Sequence, residues 1–323
     1  MKKKLIYIFL VLITLIFLTL SLYNTPNKVE KNYFYFDTYI NIKLNTSKNT
    51  NKLFDEIEST LKEYHTLTDK YNSYDNIINV YYLNEVLDND KEVTIDSKLS
   101  TLINEGIKYY EITNGYINIA SSNLIDVWKK YIEEKTSIPS YEELNVNTNI
   151  KDISLENNIY KKKNNIKIDL GSYTKGYVTD VISNIIENYN IKDYIIDAGG
   201  NIKVGTPSNK ETYSVGVIDP INNSNIFDTI NVVNSSVVTS GDYQRYYEYN
   251  NVRYNHIINP YTLYPSSIYK SVTVIYPSSF LADIYSTYLF MLDIDSSYEV
   301  SSKIDNMKVI WYIDKDNIKY SYK

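Results

Sequence analysis

The chain has 323 residues, with 36 Tyr, only nine Gly and no Cys, and its 33 basic and 39 acidic side chains leave a net charge of −6. Without cysteine it has neither disulfides nor thiolate metal sites, and an acidic surface of scattered charge argues against nucleic acid as a partner. The length suffices for one large core or two modest ones.

Lys2, Lys3 and Lys4 precede an uncharged run, LIYIFLVLITLIFLTLSLY, from Leu5 to Tyr23. As a helix this run would reach roughly 28 Å, close to the hydrocarbon thickness of a bilayer. A signal peptide usually has a shorter apolar core and a small-residue cleavage site, and no such site follows. Residues 1–24 are therefore expected to be an uncleaved N-terminal transmembrane anchor rather than a signal segment. The lysines should stay in the cytoplasm and the rest of the chain should lie outside it, at the cell membrane. Residues 25–32 read as a short polar linker. From residue 33 to residue 323 no Gly/Pro/Ser-rich gap or repeat interrupts the chain, which predicts one unit.

YFYFDTYINIKL, beginning at Tyr33, alternates like a strand. Leu53, Phe54, Ile57, Leu61 and Tyr64 recur at helical spacing, and His65 beside this stripe reads as a core-edge residue rather than a catalyst. KLSTLINEGIKYYEIT and SNLIDVWKKYIEEK predict helices on either side of the turn TNGYINIA. NIKIDL and DYIIDAGG read as strands flanking a helix near Tyr173–Tyr189. YSVGVIDP, TINVVNSSVVTSG and SVTVIYP add strands, and SFLADIYSTYLFML predicts a buried or amphipathic helix. The pattern is α+β, with mixed, largely antiparallel sheets and packed helices, not a regular βαβ alternation.

Four segments can carry chemistry. In DLGSYTKGY, starting at Asp169, a strand, a glycine turn and a helix start place Lys175 where backbone N–H groups can receive an anion. AGGN, ending at Asn201, gives a second close-approach turn. TSGDYQRYYEYNNVRYNHIINP, from Thr239 to Pro260, gathers both arginines of the chain, Arg245 and Arg253, with His256, whose ordinary pKa suits a general base. In LADIYSTYLF, Asp283 and Thr287 are four apart and share a helix face, offering hard oxygen ligands that match Mg2+ or Ca2+ better than Zn2+. A capping pair is the alternative reading of the last segment, and a plain strand–turn–helix that of the first.

In this order DLGSYTKGY, AGGN, TSGDYQR, HIINPYTLYP and ADIYST resemble the motifs of the ApbE-like FAD:protein FMN transferases, a resemblance running from about Tyr33 to the C-terminus. It implies an ApbE/T-fold-like catalytic domain over 33–323, extracytoplasmic, that takes FAD as substrate with Mg2+. A threonine hydroxyl of an acceptor flavoprotein would attack the FMN phosphorus and expel AMP. By position the resemblance assigns metal ligation to Ser172, Asp283 and Thr287, with Ser286 possible. It assigns FAD contacts to Phe36, Tyr74, Tyr116, Ile117, Asn118, Asp169, Lys175 and Ile257. His256, Lys175 and Asp283 would be the catalytic group. Two readings stand beside it: a Mg2+-dependent FAD pyrophosphatase with water as nucleophile, and a non-catalytic membrane-anchored flavin-binding protein. Departures are Leu263 where the family expects glycine, Asn118 where it often has a carboxylate, and Ser286 where some members have a second Asp. The first implies either a turn that avoids positive φ or one that bears a cost.

Overall fold

The computed structural model describes residues 26–322. The expected anchor from Leu5 to Tyr23 lies outside them; among the described residues no helix is long and apolar enough to cross a membrane.

Among the described residues, fifteen strands and seven α-helices follow in chain order. The strands are β1 (Asn27–Tyr35), β2 (Thr38–Thr46), β3 (Glu92–Thr94), β4 (Ile153–Glu156), β5 (Ile159–Lys162), β6 (Tyr194–Ala198), β7 (Asn201–Val204) and β8 (Tyr213–Ile218). They continue with β9 (Ile226–Val232), β10 (Ser235–Gly241), β11 (Tyr246–Tyr249), β12 (Val252–Asn255), β13 (Ser271–Tyr276), β14 (Lys308–Asp314) and β15 (Asn317–Tyr320). The helices are α1 (Asn51–Thr68), α2 (Ser97–Ile112), α3 (Ser122–Glu134), α4 (Tyr141–Leu144), α5 (Thr174–Asn188), α6 (Ser279–Met291) and α7 (Ile294–Ser302).

Eight strands form the main sheet in the order β1-β2-β6-β7-β10-β13-β14-β15. Every adjacent pair in it is antiparallel. Period-2 alternation sends neighbouring residues to opposite faces. Val238, Val272, Val274, Val309 and Trp311 join the large core under the helices. Val237, Ile275 and Ile310, on the other face, pack beneath the β8–β9 hairpin with Val215, Val217 and Ile230. A third cluster around Trp128 docks the β11–β12 hairpin on α3: the Trp128 and Tyr254 rings are stacked 5.5 Å apart, and Trp128 Nε1 donates to Leu263 O at 2.8 Å.

The structure corrects three expectations. Most of the supposed linker at 25–32 is strand: β1 starts at Asn27 and pairs residue for residue with β2 from Asn27↔Thr46 to Tyr35↔Thr38. Polar composition misled there because β1 is the exposed edge of the sheet. The alternating run from Tyr33 is not one strand but the end of β1, a two-residue turn and β2. Phe36 and Asp37 both have φ 55°, the left-handed pair that closes a tight hairpin. NIKIDL is irregular, its backbone held by side chains instead: Asn84 donates to Ile168 O at 2.9 Å and accepts from Ile168 N at 2.8 Å.

Candidate active site

Two helices that cap each other form the base of the site. Asp180 of α5 accepts from Ser279 N at 2.9 Å and Phe280 N at 3.0 Å, the first N–H groups of α6. In return Asp283 of α6 accepts from Gly176 N, in the first turn of α5, at 2.9 Å. Each carboxylate thus meets the positive end of the other helix. Gly176 is required by this arrangement. A Cβ there would stand 2.5 Å from Ser279 O and 2.6 Å from Asp283 Cβ. The side chain of its neighbour Lys175 has no ion pair or hydrogen bond among the described residues, yet its charge acts on both Asp283 and His256.

Asp283 is buried, 6 % exposed. Burial pushes its carboxyl above the ordinary range, against the pull of Lys175 and the Gly176 N–H. Beside it Asn201, first residue of β7, accepts from Ser279 Oγ, and its side-chain amide faces the Asp283 carboxyl and favours its charged form. Hydroxyls crowd the same place: Ser240 Oγ of β10 lies 2.9 Å from Ser286 Oγ and 3.1 Å from Thr287 Oγ1. Ser286 faces fully inward and donates to Asp283 O at 3.0 Å, whereas Thr287 is partly exposed on the same side of α6. Of the two hydroxyls, Thr287 is therefore the one open to a ligand. Ser172 lies half-buried in the turn before α5, and no side-chain hydrogen bond commits it among the described residues. One carboxylate among hydroxyls, with no cluster of three His, Cys, Asp or Glu among the described residues, is a sparse hard-oxygen set. It fits Mg2+, which keeps waters and takes substrate phosphate oxygens as its remaining ligands.

The β11–β12 hairpin carries the basic side. Asn250 and Asn251, with φ 50° and 61°, make its tight turn. Asp242, 3 % exposed, ties it down through Arg253 at 3.1 Å and Lys270 at 2.8 Å. His256 follows β12, with Nδ1 3.3 Å from Arg245 O. Burial, then the charges of Arg245 and Lys175, push its pKa down to about 4, so the imidazole is neutral at pH 7. Ile257 next to it is buried and its N–H is taken by Asn255 Oδ1 at 2.8 Å. Leu263 does adopt positive φ, 64°; its N–H donates to Asn259 O at 2.8 Å, so the turn keeps the glycine geometry and bears the strain.

Of the remaining predicted contacts, Phe36 lines a small cavity with Lys175, and the others are held by local partners. The Phe36 N–H reaches His65 Nδ1 at 3.3 Å, and their rings meet edge to face, so His65 supports the hairpin turn. Tyr74 OH donates to Asp69 Oδ2 at 2.8 Å, and burial with that bond pushes its pKa up to about 12. Tyr116 lies between Tyr261 and Tyr288, with ring centroids 4.9 and 5.4 Å away. Ile117 is buried, with its N–H bound by Thr113 Oγ1 at 3.0 Å. The Asn118 side chain is already committed, accepting from Ala120 N and donating to Thr148 O, both at 2.9 Å. Asp169 accepts from Gly171 N at 2.7 Å and pairs with Lys70 at 2.8 Å. Burial opposes its charge, but Lys70 foremost holds its carboxyl below the ordinary value.

A profile of the ApbE family matches residues 36–311. The chain belongs to the ApbE family. Among its ApbE relatives, the FAD:protein FMN transferase of Haemophilus influenzae is 27 % identical over 279 residues, 82 % of this chain and 80 % of that protein. The enzyme of the same name from Vibrio cholerae is 28 % identical over 61 % of this chain and 62 % of its own. The crystal structure of the ApbE protein of Thermotoga maritima superposes with a TM-score of 0.81 at 25 % identity, covering 92 % of this chain and 97 % of that one. The flavin transferase ApbE of Vibrio cholerae shares the fold at 22 % identity, with a TM-score of 0.78 over 91 % and 96 % of the two chains.

Within this ApbE fold, Lys175, Asp283, His256, Ser286 and Thr287 gather around the α5–α6 start. Reading the sequence missed Asn201 as the amide beside Asp283, Ser240 as the hydroxyl facing Thr287, Asp180 as the reciprocal cap and Lys70 as the partner of Asp169. AGGN and TSG pointed at the neighbourhoods of the first two. Nothing local marks Lys70, which stands 99 positions from Asp169.

Proposed function

We propose that this chain is a Mg2+-dependent FAD:protein FMN transferase that moves the FMN part of FAD onto an acceptor threonine and releases AMP. The observation that carries the reading is a Lys175 side chain without an ion pair or hydrogen bond among the described residues, next to Gly176, whose N–H binds the buried Asp283 carboxylate across the α5–α6 contact. Family membership and the names of the relatives support it.

Asp283 and Thr287, with Ser172 from the facing turn, would hold Mg2+, which supplies charge neutralisation and polarisation of phosphorus in phosphoryl transfer. Lys175 binds a diphosphate oxygen and sets the direction of the leaving AMP. His256, neutral at pH 7, accepts the proton of the threonine hydroxyl as its oxygen bonds to phosphorus and the bond to AMP breaks. Its low basicity belongs to a site filled with cations only; diphosphate charges nearby raise it toward neutrality. Phe36, Tyr74 and Tyr116 offer ring faces or edges to flavin or adenine.

The test is incubation of residues 26–323 with FAD, Mg2+ and a threonine-bearing flavoprotein. Flavin fluorescence retained on the denatured acceptor supports the transferase. Free FMN and AMP without labelled protein would leave the pyrophosphatase, and intact FAD only a binder. We place the unit at the outer side of a cell membrane, held by Leu5–Tyr23, which fractionation of the full chain tests: recovery in the soluble fraction would refute it.

A further inference from the structure

Lys70 lies just beyond the C-terminal end of α1, and its side chain is 7 % exposed. A lysine ammonium has three donors and no acceptor. Here it meets three oxygens: Asp169 Oδ2 at 2.8 Å, Asp126 Oδ1 at 2.8 Å and Ser122 Oγ at 3.0 Å. Those partners stand on two separate segments. Asp169 opens the turn before Lys175, and Ser122 and Asp126 open α3, just after Tyr116–Asn118. The two segments are also joined directly, since Asp169 N donates to Ile119 O at 2.8 Å. The preceding residue serves a third segment. Asp69 accepts from Tyr74 OH at 2.8 Å, Tyr71 N at 2.7 Å and Asn72 Nδ2 at 2.9 Å.

We propose that Asp69 and Lys70 form the positioning element of the FAD site, Lys70 aiming Asp169 and locking the Tyr116–Asn118 turn to it, Asp69 aiming Tyr74. The inference rests on the proposed function, because it takes those residues as FAD contacts. The physical reason for a lysine here is that Asp169, its side chain only 17 % exposed, needs a counter-charge that is itself satisfied. A buried ion with one partner removed is strongly unfavourable, whereas a three-way tie leaves no polar atom unmatched. Neither residue needs to touch FAD, so both act on binding through the groups they hold.

The experiment measures FAD affinity by flavin fluorescence, then KM for FAD and kcat for transfer, in the 26–323 protein and its Lys70→Met, Asp126→Asn and Asp69→Asn variants, each checked for a cooperative melt. Lys70→Met should raise the FAD Kd and KM by about tenfold or more with kcat changed far less, the loss of one aimed charged contact. Asp126→Asn leaves Lys70 and Asp169 in place and should give a smaller shift in the same direction. Asp69→Asn should weaken FAD binding without altering the Lys70 tie. Unchanged FAD affinity in a folded Lys70→Met protein would overturn the inference. If Lys70→Met does not fold, wild-type affinity in both Asp126→Asn and Asp69→Asn would overturn it equally. Failure of the wild-type protein to bind FAD would sink the functional reading itself, a distinguishable result.

Discussion

His256 owes its chemistry to its neighbours. Its folded pKa, about 4, lies below the ordinary 6.5. Above pH 6.5 both folded and unfolded chains hold it neutral, and it contributes no pH dependence. Between about 6.5 and about 4 the unfolded chain takes up a proton that the folded one resists, so stability falls with falling pH in that window. His256→Gln should flatten this part of the acid limb, measured as melting temperature against pH for both proteins; parallel curves would refute the neutral-imidazole assignment. Asp169, held below its ordinary value, acts only at more acidic pH, whereas Asp283, held above its ordinary value, protonates first in the folded chain and works in the opposite sense to His256, which is why the comparison is made between the two proteins. Asp283→Asn keeps an acceptor for Gly176 N–H and removes the charge. The fold should survive while Mg2+-dependent turnover drops by about a hundredfold or more, as for loss of one preorganised electrostatic group. Full turnover at limiting Mg2+ would refute the metal role. At this scale the sequence was informative wherever a scarce residue sat in a motif, as with His256 and Asp283. It was silent where the partner is remote and common, as with Lys70.

Among elements, the α5–α6 contact and the hairpin turns make separate predictions. Gly176→Ala inserts a methyl where Ser279 O and Asp283 Cβ already stand, and should destabilise by about 1–3 kcal/mol while lowering turnover. Chemical denaturation and the transfer assay check both, and an unchanged protein would show the helices free to separate. At the β11–β12 turn, Asn251 has φ 61°: Asn251→Ala should cost about 1 kcal/mol and Asn251→Gly should not. Equal stability of the two would mean the turn relaxes. Helix periodicity made α1, α2, α3, α5 and α6 legible to within a few residues. The Phe36–Asp37 turn escaped because Phe36, its first residue, is not a customary left-handed one. Elsewhere the scarcity of glycine hid turns in the same way. Among the described residues, eleven of the sixteen non-glycine positions with positive φ are Asn. In a chain rich in asparagine, that signal has little contrast.

For the molecule as a whole, the sheet order could not be read from the sequence, because β2 pairs with β6 and β7 with β10 across long stretches of chain. The extent of the domain was misjudged as well, and truncation tests the correction. A chain beginning at Pro26 keeps all of β1, whereas one beginning at Tyr33 removes six of its residues and unpairs the outer edge of β2 from Thr46 to Asn41. The shorter chain should melt at lower temperature and aggregate more readily; equal melting would restore the linker reading. The reciprocal caps of α5 and α6 also bear on motion. With Gly176 wedged against α6 and a carboxylate spanning the contact in each direction, Lys175 and Asp283 belong to a single rigid body. FAD therefore meets a pair whose spacing is set before it arrives, and adaptation to different acceptors has to come from the surrounding loops. Solution exchange measurements should find the amides of Gly176 and Phe280 among the slowest in the protein, with or without flavin.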